Sequence, residues 1–267
     1  MGQCDSNSRT RVMFAARNMI MAGASEPPFD SDAAVYFAAI VSAGSSITSA
    51  NKIAVNDFIV GCKSDGIWTA IKACCLLAGP DNLTGALVPL VGSAPTNNNF
   101  VSGNYSRTTG LVGDGSTKYL NSNRNNDADP RNSKHLAVWI NSTSIGSKCP
   151  IGSGAALAGN SQILQTTSSF FRANFDAATG AAFANVLGSG FCGVSRSLST
   201  ESNYRNINGT GTISDASNVP TNSTIDVFRR SGGTLYSDQR LSYYSIGESI
   251  DLSLLESRLS TYVTALT

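Results

Sequence analysis

The stretch that decides the fold is TTGLVGDGSTKYLNSN, residues 108–123. Short apolar runs on either side of Gly-Asp-Gly-Ser predict two strands joined by a tight turn, which is a β-hairpin. In that turn, Gly113 and Gly115 would supply positive φ values, and the Asp114 side chain can bond its own backbone. Upstream the chain is rich in alanine, and downstream it is rich in Ser, Thr, Asn and Gly. We therefore place the main architectural boundary just before this stretch, near residues 93–104.

The chain before this boundary carries helical signals. Apolar residues recur at spacings of three and four, polar caps precede them, and glycine or proline follows them. These patterns predict helices at residues 11–22, 30–43, 48–60 and 65–78. The first helix either packs on its own chain or serves as a docking arm for a partner, because its spacing fits both interpretations.

The chain after the boundary reads as short strands separated by clusters of Gly, Asn and Ser. The chain is strand-like from His135, where Leu136, Val138 and Ile140 alternate with Ala137, Trp139 and Asn141. Further strands are predicted at residues 162–166, 169–173, 182–187, 191–195, 224–229 and 241–246, and a closing helix at 251–266 with Asp251 as its cap. Many short strands with turns between them are typical of a sandwich. The predicted fold class is mainly β, an antiparallel β-sandwich preceded by a small α-helical region.

Composition narrows the classes of function. Of the 267 residues, 41% are apolar and 14% are charged, so the polar surface must be built largely from Ser, Thr, Asn and Gly. A net charge of +1 gives no electrostatic case for binding nucleic acid. No apolar run approaches the roughly 18 residues that span a bilayer, and the start of the chain does not resemble a secretory signal. We therefore expect a protein without a membrane span that folds in a reducing cytoplasm.

Metal and catalytic motifs are scarce. The six cysteines include no Cys-x-x-Cys pair, and His135 is the single histidine, so neither a zinc site nor a Ser-His-Asp triad is indicated. The cysteines are predicted to be buried free thiols, with a Cys149–Cys192 disulfide as the alternative. Glu248 and Asp251 suit helix capping better than acid–base catalysis. The sequence thus predicts a protein that is not an enzyme and needs no cofactor.

Two places combine the residue types that commonly bind sugars. The loop at residues 121–132 contributes Asn125, Asp127 and Asp129, and a later segment contributes Tyr204 with Arg205. Arg229 with Arg230 is a further candidate pair. Asp127 and Asp129 could also hold Ca²⁺ through oxygen ligands, although their spacing does not match an EF-hand loop. An ordinary Asn-rich turn is the alternative interpretation of the same loop.

Residues 108–266 resemble the concanavalin A-like lectin/glucanase superfamily in its laminin-G-like form. The resemblance rests on GLVGDGSTKYL at residues 110–120 and on YYSIGESIDLSLLE at residues 243–256. Upstream, AVYFAA at residues 34–39, VGCKSDGIWTAIKAC at 60–74 and LVPLVG at 87–92 resemble a module of tailed-bacteriophage virion proteins. In those proteins this module precedes just such a sandwich. The resemblance implies an N-terminal arm at residues 1–30, a helical module at 31–95 and a jelly-roll sandwich with a terminal helix at 96–267.

The resemblance also implies a function. It indicates a non-enzymatic virion structural protein, either tail-associated as a fibre or fibre-linked subunit or decorating the capsid, and assembled in the bacterial cytoplasm. Such a protein would form a homo-oligomer and contact other virion subunits through residues 1–30. It could also adhere to host surface polysaccharide. The alternatives are a dedicated carbohydrate-binding host-attachment module and a glycoside hydrolase, and the glucanase motif Glu-x-Asp-x-x-Glu is missing from the sequence.

Overall fold

The structure is a computed structural model that describes residues 28–143, 145–154, 158–167, 170–175, 181–184, 188–233 and 235–266. Its helices are α1 (Ser31–Ser42), α2 (Ser49–Ser64), α3 (Leu83–Ala86) and α4 (Leu252–Thr264). Its strands are β1 (Ile71–Leu76), β2 (Thr96–Asn98), β3 (Tyr105–Ser106), β4 (Gly110–Val112), β5 (Tyr119–Asn125), β6 (Lys134–Ser142), β7 (Lys148–Ser153), β8 (Ser161–Thr167), β9 (Phe170–Phe175), β10 (Ala181–Ala184), β11 (Gly190–Arg196), β12 (Glu201–Asn206), β13 (Gly209–Ser214), β14 (Thr224–Val227) and β15 (Arg240–Gly247). The helix predicted at residues 11–22 lies outside the described residues.

The strands form two antiparallel sheets, which confirms the predicted fold class. The first sheet has the order β13-β12-β11-β6-β15-β4-β3, and β1 pairs with β15 as well. The second sheet has the order β10-β9-β8-β7-β14-β5-β2. One apolar core lies between the sheets, with Leu120, Val138 and Ile225 among its members. A second core lies between the outer face of the first sheet and the helices, where Phe58 meets Tyr243.

The hairpin prediction at residues 108–123 was wrong. β4 pairs with β15 and β3 in the first sheet, whereas β5 pairs with β14 and β2 in the second sheet. The turn chemistry is partly as expected, because the Asp114 carboxylate accepts the backbone N–H of Thr117 at 2.8 Å and Gly115 has φ +73°. Gly113 serves another purpose, since a side chain there would collide with the Ser237 carbonyl oxygen. The turn is therefore a crossover between the two sheets.

The helix predicted at residues 65–78 was also wrong. A 3₁₀ turn at Trp68–Ala70 leads into β1, which pairs with β15. Along β1, Cys74 faces the helix-side core and Cys75 faces the core between the sheets. A strand buried on both faces has an unbroken apolar run, and such a run cannot be told from a buried helix by periodicity alone. β1 thus joins the region predicted as a helical module to the sandwich, and the division at residue 95 stays a prediction.

The other helical predictions that fall on described residues are confirmed. The Asp30 side chain caps α1 by accepting the N–H of Asp32, and Asp251 caps α4 by accepting the N–H groups of Ser253 and Leu254. α4 lies across the first sheet as expected, with Leu255 and Leu259 fully buried. The five cysteines of the described part are free and buried, so Cys149 and Cys192 form no disulfide. In the described ranges, no helix has both the length and the apolar character needed to cross a bilayer.

Candidate functional site: the groove between β12 and α4

α4 presents a polar face beside the edge of the first sheet. Its apolar residues Leu252, Leu255, Leu259 and Tyr262 recur at helical spacing and are buried. The opposite side of the helix therefore carries hydroxyl and carboxylate groups, and it lies next to β12. The edge strand β13 completes this corner of the sheet. We call the space between the strand and the helix the β12–α4 groove.

Two adjoining hollows make up the β12–α4 groove. The larger, of about 440 Å³, is lined by residues that include Asn203, Thr210 and Ser253. The smaller, of about 340 Å³, is lined by residues that include Glu256 and Ser257. Arg205 and Ser253 line both hollows. Each hollow falls in the size range of small-molecule sites, which is about 300–1,000 Å³.

Arg205 stands where the hollows meet. Its Nε donates a hydrogen bond to the Glu256 carboxylate on α4, and both side chains are half-buried. This ion pair places a charged donor and a charged acceptor side by side at the surface of the groove. Within the described part of the chain this is the one hydrogen bond of either side chain. A guanidinium has five N–H donors and a carboxylate accepts about four bonds, so among these residues each group keeps unused hydrogen-bonding positions.

Asp251 lines the larger hollow, and its carboxylate caps the first turn of α4. The Ser253 hydroxyl donates to its carboxylate at 2.7 Å, and the N–H of Ser253 donates at 2.8 Å. These bonds, with the positive charge of Arg205 nearby, lower the pKa of Asp251 below its usual range. Asp251 is therefore a fixed anion at the start of α4.

The predicted pair Tyr204 and Arg205 is divided between the two faces of the sheet. Successive side chains of a strand point to opposite faces. Tyr204 borders the larger hollow, but its ring packs against the core between the sheets and lies across Gly211 on β13. Arg205 points the other way, towards α4. The structure thus brings Arg205 into the groove and gives Tyr204 a largely structural position.

The predicted loop residues do not converge on one site. Asp129 is buried, and its carboxylate accepts a hydrogen bond from Arg124 Nε at 2.9 Å. The Asn125 amide donates to Asn222 at 2.6 Å, whereas Asp127 is exposed. No hydrogen bond or ion pair of the described residues joins these three side chains to Arg205. In the described ranges no group of three or more His, Cys, Asp or Glu residues could hold a metal ion.

The other arginine candidate stabilises the second sheet. The Arg229 guanidinium lies 3.2 Å from the centroid of the Tyr119 ring, donates to Asp226 at 2.7 Å and donates to the Tyr236 hydroxyl at 2.9 Å. Burial raises the pKa of Asp226, and the bond from Arg229 opposes that rise. The Arg229 side chain is therefore fixed by contacts within the second sheet, and it does not line the β12–α4 groove.

The contribution of α4 to the groove was not predicted from the sequence. Glu256, Ser253 and Ser257 were assigned only to a capped helix, since their partner strand β12 was not among the predicted strands. The signal was the polar face of an amphipathic helix, and that face points to a site only when the neighbouring strand is known.

Comparison with known proteins adds evidence on the fold. No family model and no curated protein matches the chain. Among solved structures, the binding domain of botulinum neurotoxin serotype D is 11% identical with a TM-score of 0.50, and the match covers 72% of this chain and 51% of that one. A sialidase from Trypanosoma rangeli is 12% identical with a TM-score of 0.44, over 72% of this chain and 33% of that one. The chain thus spans about half of these solved chains or less, and at 11% identity the likeness to the neurotoxin binding domain shows a β-sandwich fold alone.

Proposed function

We propose that the protein binds a glycan in the β12–α4 groove and catalyses no reaction there. The observation that carries this proposal is the half-buried Arg205–Glu256 pair at the junction of two adjoining hollows. A sugar hydroxyl donates one hydrogen bond and accepts others, so a neighbouring donor and acceptor can bind the same hydroxyl or two adjacent ones. Because the charge of Glu256 offsets that of Arg205, the pair suits a neutral sugar better than an anionic one.

The two hollows suit consecutive sugar units of an oligosaccharide. Arg205 and Ser253 line both hollows, so they would contact the link between the units. Ser257, Ser260 and Thr261 continue the polar lining along α4. An oligosaccharide should therefore bind more tightly than the monosaccharide from which it is built.

Binding without catalysis is supported by the acids of the groove. Glycoside hydrolysis needs a protonated acid with a raised pKa beside a second carboxylate. Asp251 has a lowered pKa because it caps α4, and Glu256 is engaged by Arg205. Asp251 is therefore ionised at neutral pH and has no proton to give to a leaving group.

Two substitutions test glycan binding. Arg205→Ala and Glu256→Ala should each weaken binding about tenfold or more, since hydrogen bonds to charged groups contribute about 1.5–3 kcal/mol. A glycan array identifies the ligand, and titration calorimetry then measures the affinity of each variant. Glu248→Ala is the matched control, because it breaks an ion pair of similar exposure, with Lys72 at 2.8 Å, that does not line the groove. Unchanged affinity in both groove variants, or no glycan bound by the wild type, contradicts the proposal.

We propose further that the protein presents this groove on the surface of a bacteriophage particle, on the tail or on the capsid, as a homo-oligomer assembled in the host cytoplasm. Support comes from the sequence resemblance at residues 34–92 and from the polar, weakly charged composition. Residues 1–30 remain the predicted contact with other virion subunits. Immunogold electron microscopy of purified particles should label this protein, and deletion of residues 1–28 should abolish its incorporation. Unlabelled particles, or full incorporation of the truncated chain, contradict this assignment.

A further inference from the structure

β13 forms one end of the first sheet, and no described strand pairs with its outer side. The strand has six residues, and all six pair with β12 without a register shift. The other ends of the two sheets are shorter, since β3 has two residues, β2 has three and β10 has four. β13 is therefore the longest exposed edge strand in the described part of the chain. We call its unpaired side the β13 edge.

The β13 edge carries none of the features that keep exposed edges apart. Natural proteins protect such edges with short strands, charged side chains, proline or bulges, because an unpaired strand is a template for another strand. The sequence of β13, GTGTIS, contains no charged residue and no proline. Alternate residues of an antiparallel strand turn their N–H and C=O groups to opposite sides. Half of the backbone groups of β13 therefore point away from β12 and can bond a further strand.

The side chains of β13 also fit a strand added at this edge. Thr210, Thr212 and Ser214 are exposed. They share the face of Arg205, which stands opposite Thr210 on β12. Ile213 is buried on the other face. The exposed face of β13 thus carries only hydroxyl groups, and a neighbouring strand of the same kind would meet no like charge there.

A second copy of the chain supplies the matching strand. Among the described edges, only another β13 has the same length and regular register. Identical strands pair in antiparallel fashion about a two-fold axis, which is the commonest symmetry of homo-oligomers. An axis at Gly211 places Thr210 opposite Thr212 of the second copy, and the reverse pair follows by symmetry. Cross-strand threonine pairs stabilise antiparallel sheets, and the absence of a side chain at Gly211 leaves the axis unobstructed.

We propose that two copies of this protein associate through their β13 edges, so that their first sheets join into one continuous sheet. This inference does not depend on glycan binding or on a place in a virus particle. Thr210 also lines the larger hollow of the β12–α4 groove, so pairing brings Thr212 of the second copy to the border of that hollow. The two grooves of the dimer then open on the same face of the joined sheet.

A charge exchange in the full-length chain tests the proposal. Thr210→Lys with Thr212→Lys should weaken dimerisation at least tenfold, because like charges directly opposite each other are destabilising. Thr210→Glu with Thr212→Glu should do the same. An equimolar mixture of the two variants should dimerise again, because each lysine then faces a glutamate. Sedimentation velocity from about 5 to about 200 µM measures the association, a range suited to the weak binding expected of an interface built on one pair of strands.

The matched control is Thr69→Lys with Thr96→Lys. It adds the same charge at two exposed threonines outside β13 and should dimerise like the wild type. A wild type that stays monomeric up to about 200 µM would overturn the proposal. A Thr210→Lys, Thr212→Lys chain that dimerises as well as the control would place the interface elsewhere and would overturn it too.

Hydrogen exchange gives an independent measurement on the unmodified chain. Dilution that dissociates the dimer in sedimentation should accelerate exchange of the outward-facing amides of β13 at least fivefold, because they lose their partners in the second copy. The amides of β2, an edge of the other sheet, should exchange at the same rate before and after dilution. Unchanged exchange of β13 across that dilution counts against the proposal.

Discussion

Replacing Asp215 with alanine is expected to lower the free energy of unfolding by about 3–5 kcal/mol, because it leaves a buried arginine without its carboxylate. Arg196 has no exposed surface, and its Nη2 donates to Asp215 Oδ1 at 2.6 Å. The other terminal nitrogen, Nη1, donates to the backbone carbonyls of Leu198, Glu201 and Asp215 at 3.1–3.2 Å. The guanidinium is therefore satisfied by protein groups in a place that water does not reach.

Most of the lost free energy of unfolding should come from the unpaired charge of the buried Arg196, and less from the loss of its hydrogen bond to Asp215. Burial raises the pKa of Asp215 despite the neighbouring Arg196, which shows how strongly this site disfavours charge. Replacing both partners with apolar residues of similar size, as in Arg196→Met with Asp215→Leu, should therefore recover most of the stability. Urea denaturation monitored by circular dichroism measures all three proteins.

A second ion pair gives the control. Arg258 on α4 donates to both oxygens of Asp65 at 2.7 and 2.8 Å, but the Arg258 side chain is 38% exposed. Asp65→Ala should therefore cost less than about 1 kcal/mol, as exposed pairs usually do. If Asp215→Ala and Asp65→Ala cost the same, burial does not set the strength of the Arg196 pair. Arg196 also ties β11 to the residue that follows β13, and β12 and β13 form the corner of the sheet beside the β12–α4 groove.

Local signals explain which elements could be predicted from the sequence. Asp30 and Asp251 cap helices whose apolar stripes are complete within one segment, so α1 and α4 needed no knowledge of the rest of the chain. Short strands such as β6 and β15 are bounded by turn residues in the sequence, so they too could be predicted from local signals. The sandwich class followed from counting such strands.

Long-range pairing explains what could not be predicted. The turn at Asp114 looks like a hairpin from within residues 108–123, yet β4 finds its partner at Leu241, far along the chain. β1 has a helix-like pattern because both of its faces are buried. The prediction of the candidate site failed for the same reason, because it depended on contacts between distant parts of the chain. Tyr204 and Arg205 are neighbours in sequence but lie on opposite faces of the sheet, and Glu256, the partner of Arg205, comes from an element about fifty residues later.

Acidification from pH 7 to pH 4 is expected to remove roughly 3 kcal/mol of stability through His135. His135 is 1% exposed and is the second residue of β6, after the buried Lys134. Its Nδ1 lies 2.6 Å from the Glu248 carbonyl oxygen, which can only accept, so Nδ1 carries the hydrogen. Its Nε2 lies 3.0 Å from the Ser245 hydroxyl and accepts from it. Both nitrogens of the neutral ring are therefore bonded, and a second proton would bring a charge into the interior.

Burial lowers the pKa of His135 from 6.5 to about 4, and it outweighs the Glu248 bond and the charge of Asp129, which act in the opposite direction. Below pH 6.5 the unfolded chain binds a proton at this residue and the folded chain does not, so stability falls by about 1.4 kcal/mol per pH unit until the folded state is protonated as well. Asp215 and Asp226 have raised pKa values and change stability in the opposite sense.

The stability–pH curve of the wild type must therefore be compared with that of His135→Asn, whose amide can still donate to Glu248 but does not titrate. Because the chain has one histidine, the difference between the two stability–pH curves reports on this ring alone. Parallel curves between pH 6.5 and 4 would show that the folded state accepts the proton without penalty, and that the imidazole is not held neutral by the sheet and the turn before α4.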